Sequence, residues 1–263
     1  MTPAPDPSLL AGAWLTAALV LGACFGSFAN VLIHRLPRDE SVAGPGSRCP
    51  ACGHPIRWHD NLPVLGWLLL RGRCRDCRAA ISPRYPLVEL AGAAAGAAAL
   101  WRWGPTPAGL GGLLFLVALL AIALIDWEHM IIPHTLTVGG MAVGLLLAPW
   151  SGRGLASALA GGLLGAGLVL ALSYGYRLVR GQIGMGGGDV MLMGMVGVFL
   201  GPWGALLVLF GGALLGAVFA VVWYGSSLSG KSRLPFGTFL AAAAALAGLA
   251  GEAAIGWYLG TWR

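Results

Sequence analysis

The sequence predicts an all-α, polytopic membrane protein with about eight transmembrane helices and a cytoplasmic, cysteine-rich loop of the kind that binds zinc. The first reason is composition: 57% of the 263 residues are hydrophobic and only 10% are charged, whereas soluble domains carry about 25% charged residues. The second is that the apolar residues form runs about as long as membrane helices. The third is that most basic residues lie on one side of those runs.

The apolar runs give the predicted helices in chain order. A helix needs about 20 apolar residues to cross the hydrocarbon core. The sixth run has only eleven before Gly201-Pro202 interrupts it, about half of the required length, so its inner end beside Asp189 is expected inside the membrane. The eight predicted spans are roughly residues 9–33, 87–103, 108–125, 135–150, 155–176, 190–200, 203–224 and 236–258.

These spans divide the chain into three parts. Residues 1–33 contain no Lys or Arg, whereas a secretory signal peptide begins with basic residues, so we expect a retained first transmembrane helix there. Residues 34–86 form a polar segment that holds four of the five cysteines. Residues 87–263 form the remaining transmembrane core.

The distribution of basic residues predicts the orientation in the membrane. With eight spans, one side of the membrane receives segments 34–86, 126–134, 177–189 and 225–235, which hold 13 of the 16 Lys and Arg residues. Cytoplasmic loops carry such an excess, so this side is predicted to be cytoplasmic and both termini to lie outside. The net charge of +6 thus reflects topology; membrane lipid is an expected partner and nucleic acid is not.

Two of the ten acidic residues are the candidate catalytic residues, because each lies at the end of an apolar run. Asp126 closes the third span, shortly before Pro133, and Asp189 follows four glycines within the five residues 184–188. A charge at membrane depth costs roughly 2.5–3.5 kcal/mol or more, so it usually faces a polar cavity and has a function. We expect both carboxylates on the cytoplasmic side, around one hydrated cavity.

Two neighbouring carboxylates suit aspartic peptide hydrolysis, which needs no metal. The pair shares one proton, because both cannot ionise cheaply. The ionised member can deprotonate a water molecule, and the protonated member can polarise a peptide carbonyl. The alternative is that Asp126 and Asp189 only cap helix ends, with Asp189 as an N-cap. Three further acids, Glu89, Glu128 and Glu252, lie in or at the ends of apolar runs and receive no catalytic role.

The polar segment contains a predicted metal site. Cys49 and Cys52 form one C-x2-C pair, Cys74 and Cys77 form another, and 21 residues separate the pairs. This spacing indicates a structural zinc site with four thiolates, with an interval slightly longer than the usual one. A reducing cytoplasm disfavours disulfides, although free thiols or a redox pair stay open as alternatives. His54 and His59 could replace a cysteine as ligand, and Cys24 is expected to be a packing residue.

Around these residues the chain resembles the type IV prepilin peptidase family, the bacterial branch of the GxGD intramembrane aspartyl proteases. The resemblance covers nearly the whole chain and rests on five motifs in the family's order. They are Phe25–Val31 with His34–Pro37, Ser82–Glu89, Asp126 with Ile132-Pro133, Gly186–Asp189, and Pro235–Gly237.

The resemblance implies an enzyme of the bacterial inner membrane whose catalytic residues are Asp126 and Asp189. Such enzymes cut prepilins and pseudopilins at the cytoplasmic face, just before the N-terminal hydrophobic helix of the substrate. Many then methylate the new N-terminus with S-adenosylmethionine, an activity tied to the cysteine-rich segment. No residue that binds this cofactor can be named from the sequence.

Three positions depart from the family's pattern. Where the family commonly has Lys, an acidic residue and Pro, this chain has Met191, His134 and Thr238. Met191 removes a cation near the predicted pair, so substrate binding or the working pH could differ. Two other functions stay open: an intramembrane carboxylate transporter and an inactive or scaffold homologue whose zinc loop binds a partner.

Overall fold

The computed structural model describes residues 7–182, 184–224 and 234–260, with side chains for 10–182, 184–223, 234–251 and 256. Predictions that involve Lys231, Arg233 or the side chain of Glu252 therefore lie outside the described residues. The described backbone is helical, with two isolated β-bridges and no strand, which confirms the all-α prediction. The helices are α1 (Pro7–Arg35), α2 (Leu65–Leu69), α3 (Arg84–Trp103), α4 (Pro107–His129), α5 (His134–Leu147), α6 (Gly154–Arg180), α7 (Gly187–Tyr224) and α8 (Phe236–Gly260).

Several of these helices are suited to a membrane, and the protein is a multi-pass membrane protein. Within the described ranges, four are long and apolar enough to cross a bilayer: Leu10–Arg38, Pro107–His129, Gly154–Arg180 and Gly187–Trp223. Two shorter apolar helices cover His134–Trp150 and Phe236–Gly251. The count of eight crossing segments stays a prediction.

Helix α7 reverses direction at Gly201-Pro202, where the sequence predicts a break. Gly201 has φ +73° and ψ −177°, which interrupts the helical backbone. A Cβ atom placed on Gly165 would lie 2.3 Å from the carbonyl oxygen of Met193 and 3.5 Å from Cβ of Ala205. In a straight helix those two residues would be about 18 Å apart. The predicted sixth and seventh spans are therefore two adjacent arms of α7, 187–200 and 202–224.

The chain forms two compact units, Met1–Pro105 and Thr106–Arg263. In the first unit α1 packs against α3, and glycines allow a close approach: a Cβ atom on Gly22 would lie 2.3 Å from the carbonyl oxygen of Gly92. The predicted division into 1–33, 34–86 and 87–263 is based on which segments enter the membrane, whereas the two units are defined by packing contacts. The three-part division therefore stays a prediction.

In the second unit α7 is the central element and packs against α5, α6 and α8, while α4 packs against α5 and α8. The core between these helices is apolar, and burial of such side chains holds the helices together through close packing. This arrangement fixes the end of α4 and the beginnings of α7 and α8, where the candidate site lies. Fully buried core side chains include Phe115, Ile122, Leu192, Met193 and Leu240.

Candidate active site and cysteine cluster

Asp126 lies in the last turn of α4 and is 5% exposed. The helix ends because Met130 adopts a left-handed conformation with φ +55°, and its N–H donates to the carbonyl oxygen of Asp126. Pro133 then precedes α5 and has no N–H with which to continue a helix. The predicted break between the third and fourth spans is confirmed, and it leaves the Asp126 carboxyl group at the end of α4.

The Asp126 carboxyl group contacts the beginning of α8. Its Oδ2 atom accepts a hydrogen bond of 2.7 Å from the backbone N–H of Thr238 and lies 3.2 Å from the Thr238 hydroxyl. That hydroxyl also lies 3.0 Å from the carbonyl oxygen of Ala123. Thr238 is in the first turn of α8, where N–H groups have no partner within the helix and the dipole favours a negative charge. Asp126 thus caps α8 across space.

Asp189 lies in the first turn of α7 and is 9% exposed. The alternative that it is the N-cap is wrong, because α7 begins two residues earlier, at Gly187. Its Oδ2 atom instead accepts a hydrogen bond of 3.0 Å from the backbone N–H of Gly186. An acidic residue in the third helical position that accepts from the N-cap residue is one half of a capping box. The bond holds the glycine-rich turn against the carboxylate.

The two aspartates meet around Ile132. A Cβ atom on Gly188, next to Asp189, would lie 2.8 Å from Cβ of Ile132. A Cβ atom on Gly237 would lie 2.6 Å from Cδ1 of Ile132 and 3.0 Å from Oδ2 of Asp126. The same side chain therefore touches the backbone beside both carboxylates. The structure brings together the two residues that the sequence singles out.

The position two residues after Asp189 is exposed. Met191, which replaces the Lys common in the family resemblance, is 38% exposed. Glu128, two residues after Asp126, lies near His129, with 4.0 Å between its Oε2 atom and Nε2 of the histidine. Both Glu128 and His129 have side chains that are 35% exposed, in contrast to the buried Asp126. Asp126 and Asp189 are therefore both buried, whereas Glu128, the other acid at the end of α4, is partly exposed.

The four predicted metal ligands form one cluster in the first unit. The sulfur atoms of Cys49, Cys52, Cys74 and Cys77 all lie within 4.8 Å of one another, and those of Cys49 and Cys77 are 3.8 Å apart. Zinc binds thiolate sulfur at about 2.3 Å in a tetrahedron, which places pairs of sulfurs about 3.8 Å apart. The cluster could therefore hold a metal ion, and its spacing fits zinc.

Each C-x2-C pair lies in the same kind of turn. Isolated bridges join Arg48 to Pro55 around the first pair and Arg73 to Ala80 around the second. After each pair one residue has positive φ, Gly53 at +72° and its counterpart Arg78 at +61°. The amide of the first cysteine in each turn donates to a carbonyl five residues later: 2.9 Å from Cys49 N to His54 O and 2.8 Å from Cys74 N to Ala79 O. The two turns thus form a structural repeat that presents two thiols each.

The thiols of the first turn titrate differently. Backbone hydrogen bonds from Cys52 and Ala51, followed in importance by those from neighbouring thiols, lower the pKa of Cys49 to about 6. A backbone hydrogen bond from His54 acts in the same direction on Cys52, but burial and the thiols of Cys77 and Cys49 raise the pKa of Cys52 to about 12. A second thiolate beside the first is costly unless a cation lies between them. A metal ion bound by the four thiolates would supply that positive charge.

An ion pair supports the loop between the two turns. Arg75 Nε donates to Oδ2 of Asp60 at 2.7 Å, and a second guanidinium nitrogen donates to the other carboxylate oxygen. The Asp60 side chain is only 7% exposed. The hydrogen bond from Arg75 is the main cause that holds the pKa of Asp60 below its usual range. The pair ties the second cysteine turn to residues 58–61.

Glu89 is a buried acid whose role the sequence does not reveal. It lies on α3, is 9% exposed, and its Oε2 atom accepts a hydrogen bond of 2.7 Å from the N–H of Val64. Val64 has φ +63° and ψ −49°, and the next N–H, of Leu65, bonds to the carbonyl of Pro63 at 2.6 Å. This is a γ-turn of positive φ, which is strained for a β-branched residue. Glu89 therefore holds the cysteine-rich segment to α3 at a strained turn.

Comparison with known proteins decides the family. The model of the "Bacterial Peptidase A24 N-terminal domain" matches residues 20–103 and that of the "Type IV leader peptidase family" matches 113–221. A protein of Burkholderia pseudomallei (strain 1026b) is 37% identical over 268 residues, which cover 90% of this chain and 86% of the relative. This chain belongs to the type IV leader peptidase family.

Other members of the type IV leader peptidase family give the same result. A protein of Aeromonas salmonicida (strain A449) is 37% identical over 278 residues, covering 94% of this chain and 95% of the relative. One from Myxococcus xanthus (strain DK1622) is 40% identical over 225 residues, covering 84% and 67%. All three relatives are named prepilin leader peptidase/N-methyltransferase. No solved structure shows a significant match to the chain.

Three contacts in this leader peptidase could not be predicted from the sequence. The contact of Thr238 with Asp126 joins residues 112 positions apart, and Thr238 stands out in the sequence only as a departure from the family's Pro. Ile132 is marked by the Ile-Pro pair, but its place between the two aspartates depends on helix packing. The bond from Val64 to Glu89 has no local sequence signal, since it joins a loop to a different helix.

Proposed function

We propose that the protein is a membrane aspartic endopeptidase that removes the leader peptide of type IV prepilins or pseudopilins and methylates the new N-terminus. The observation that carries the proposal is the meeting of two buried carboxylates, from α4 and α7, around Ile132. Membership of the type IV leader peptidase family and the printed names of the relatives supply the substrate class.

In this proposal Asp126 and Asp189 share one proton, because two adjacent carboxylates cannot both ionise cheaply. The ionised carboxylate takes a proton from a water molecule, whose oxygen attacks the carbonyl carbon of the scissile peptide. The protonated carboxyl group donates a hydrogen bond to the carbonyl oxygen as charge develops there. The same pair then gives a proton to the departing amine, and the cleaved substrate leaves the pair in its starting state.

The site faces the cytoplasm of a bacterium in this proposal, at the inner membrane. The support is the excess of basic residues in the segments that would share this side, since cytoplasmic loops carry that excess. The substrate would bring its N-terminal hydrophobic helix into the bilayer beside the site. Lipid is then the common solvent of enzyme and substrate helix.

We infer that the cysteine cluster holds structural zinc, bound by Cys49, Cys52, Cys74 and Cys77. The 3.8 Å distance between two sulfurs and the four-thiolate donor set support this ion. When bound, zinc would contribute folding free energy to a segment whose turns bury little apolar surface. Methylation rests on the names of the relatives, and S-adenosylmethionine would supply the methyl group.

The peptidase proposal is tested by replacing each aspartate. Asp126→Asn and Asp189→Asn should each abolish cleavage of a co-expressed pilin while the protein still inserts in the membrane, because each removes one half of the shared-proton pair. Glu128→Gln is the matched control, since it neutralises a partly exposed acid on the same turn of α4. Mass spectrometry of the pilin N-terminus reports the cut position and the methyl group together.

The outcomes separate the candidate functions. Cleavage at the wild-type rate by either Asp variant would refute the peptidase proposal. A wild-type protein that cuts no pilin but moves protons or carboxylates across a vesicle membrane would establish the transporter alternative instead.

The zinc inference has its own test. Cys74→Ser should lower the zinc content of the purified protein well below one ion per chain and expose residues 48–80 to proteases, because three thiolates do not complete the site. Cys24→Ser, which changes a cysteine on α1 outside the cluster, is the control. Zinc content unchanged by Cys74→Ser would contradict a four-cysteine site.

A further inference from the structure

The hydroxyl of Thr238 has two acceptors but only one proton to donate. It lies 3.2 Å from Oδ2 of Asp126 and 3.0 Å from the carbonyl oxygen of Ala123. A hydroxyl donates once and can accept through its lone pairs. The acceptor that the hydroxyl uses must therefore depend on whether Oδ2 of Asp126 carries a proton.

The protonation state of Asp126 is what changes at that position. When Asp126 is ionised, its Oδ2 atom can only accept, so the Thr238 hydroxyl donates to it. When Oδ2 carries a proton, it donates to the Thr238 oxygen, and the hydroxyl turns to the Ala123 carbonyl. In both arrangements Oδ2 of Asp126 and the Thr238 hydroxyl stay bonded to each other, which matters because an unpaired buried group is costly.

We propose that Thr238 is a positioning residue that follows the charge of Asp126 through the catalytic cycle by exchanging these two acceptors. The inference rests on the proposed peptidase function. The proton that Asp126 takes from water ends on Oδ2, and the hydroxyl of Thr238 rotates without gaining or losing a proton. When Asp126 gives the proton to the leaving amine, the hydroxyl turns back.

Two features make this a property of this chain. The backbone N–H of Thr238 also donates to Oδ2, at 2.7 Å, so the oxygen stays in place while the hydroxyl turns. The proline that is common at this position in the family resemblance has neither a hydroxyl nor an N–H. The peptidase reaction does not in general require this exchange of acceptors by a hydroxyl. Relatives with proline at this position must orient the aspartate by another contact.

The test separates the hydroxyl from the backbone. Thr238→Val keeps the shape and the N–H but removes the hydroxyl, whereas Thr238→Ser keeps both. We expect Val to lower kcat for pilin cleavage about ten- to a hundredfold with KM unchanged, the loss typical of one hydrogen bond to a charged group. Ser should restore kcat. Thr137→Val is the matched control, because Thr137 is buried and its hydroxyl bonds only to His134 of its own helix among the described contacts.

A second measurement does not depend on activity. The infrared C=O band of a protonated carboxyl group shifts when its hydrogen bonding changes, so in an Asp189→Asn background Thr238→Val should shift the Asp126 band and Thr238→Ser should not. A shifted band, together with a wild-type chain that cuts no pilin, would uphold the Thr238 assignment and refute the peptidase proposal. Wild-type kcat together with an unshifted band in Thr238→Val would overturn the assignment.

Discussion

Gly237→Ala should displace the beginning of α8 from Asp126, because there is no room for a methyl group at this position. The added Cβ atom would lie 2.6 Å from Cδ1 of Ile132 and 3.0 Å from Oδ2 of Asp126. An ordinary contact begins at 3.4 Å, so Cδ1 of Ile132 must move by about 0.8 Å, and Oδ2 of Asp126 and the beginning of α8 must separate by about 0.4 Å. A misplacement of about 1 Å at a reacting group can cost about a hundredfold in rate.

The clash also costs stability. Insertion of a methyl group into a well-packed region typically costs about 1–3 kcal/mol. We therefore expect a lower temperature of unfolding in detergent and a fall in kcat/KM for pilin cleavage of about ten- to a hundredfold. Gly139→Ala is the matched control, because Gly139 lies on α5 of the same unit and nothing lies within 4 Å of its added Cβ atom. That change should be neutral or slightly stabilising, since Ala favours helix over Gly.

A double mutant identifies the clashing atom. Ile132→Val deletes Cδ1, the nearest contact, and leaves only the 3.0 Å approach to Asp126. Combined with Gly237→Ala it should restore most of the activity, with a coupling energy of about 1–3 kcal/mol between the two sites. Wild-type kcat/KM in Gly237→Ala alone, or no rescue by Ile132→Val, would refute the packing that we describe around Ile132.

Three further predictions concern the first unit. Glu89→Ala removes the acceptor of the Val64 N–H, so it should destabilise the loop by about 1–3 kcal/mol, measured as faster limited proteolysis; an unchanged rate would contradict a structural bond. Arg78→Gly removes the strain of a left-handed conformation, φ +61°, and should stabilise the loop by about 1 kcal/mol. The measurement is the rate of zinc loss to a chelator, which should fall. A faster loss would refute the prediction. Because Arg75 lowers the pKa of Asp60 in the folded state, their pair stabilises the loop above about pH 4, the unfolded value, and that contribution is lost as the pH falls through the lower folded pKa. Pepsin should thus cut Asp60→Asn faster than the wild type near pH 5, but both proteins at the same rate below the folded pKa of Asp60. Zinc content is measured in the same samples. Equal rates of cutting near pH 5 would contradict the prediction.

Local patterns were enough to locate the helices and the candidate residues. The long apolar runs predict membrane helices because a bilayer forces each segment to satisfy its own backbone hydrogen bonds. Gly201-Pro202 marks the reversal of α7 because glycine tolerates positive φ and proline lacks an N–H. The spacing of Cys49, Cys52, Cys74 and Cys77 predicts their cluster because each pair lies in one short turn.

Contacts between distant segments could not be predicted in this way. Asp189 is not an N-cap but the third residue of its helix, because Gly187 and Gly188 before it are helical and Gly188 packs against Ile132. The bond from Val64 to Glu89 likewise depends on how a loop folds back on α3. Neither segment carries a periodic pattern that would reveal its partner.

The sequence by itself determined the helical class, the membrane environment, the two aspartates and the four cysteines, because each follows from composition or from residues close together in the chain. Only the tertiary structure decided that Thr238 of α8 holds Asp126 of α4 and that Ile132 lies between the two acids. The physical reason is that these contacts arise where the ends of three helices converge, and helix packing fixes that convergence.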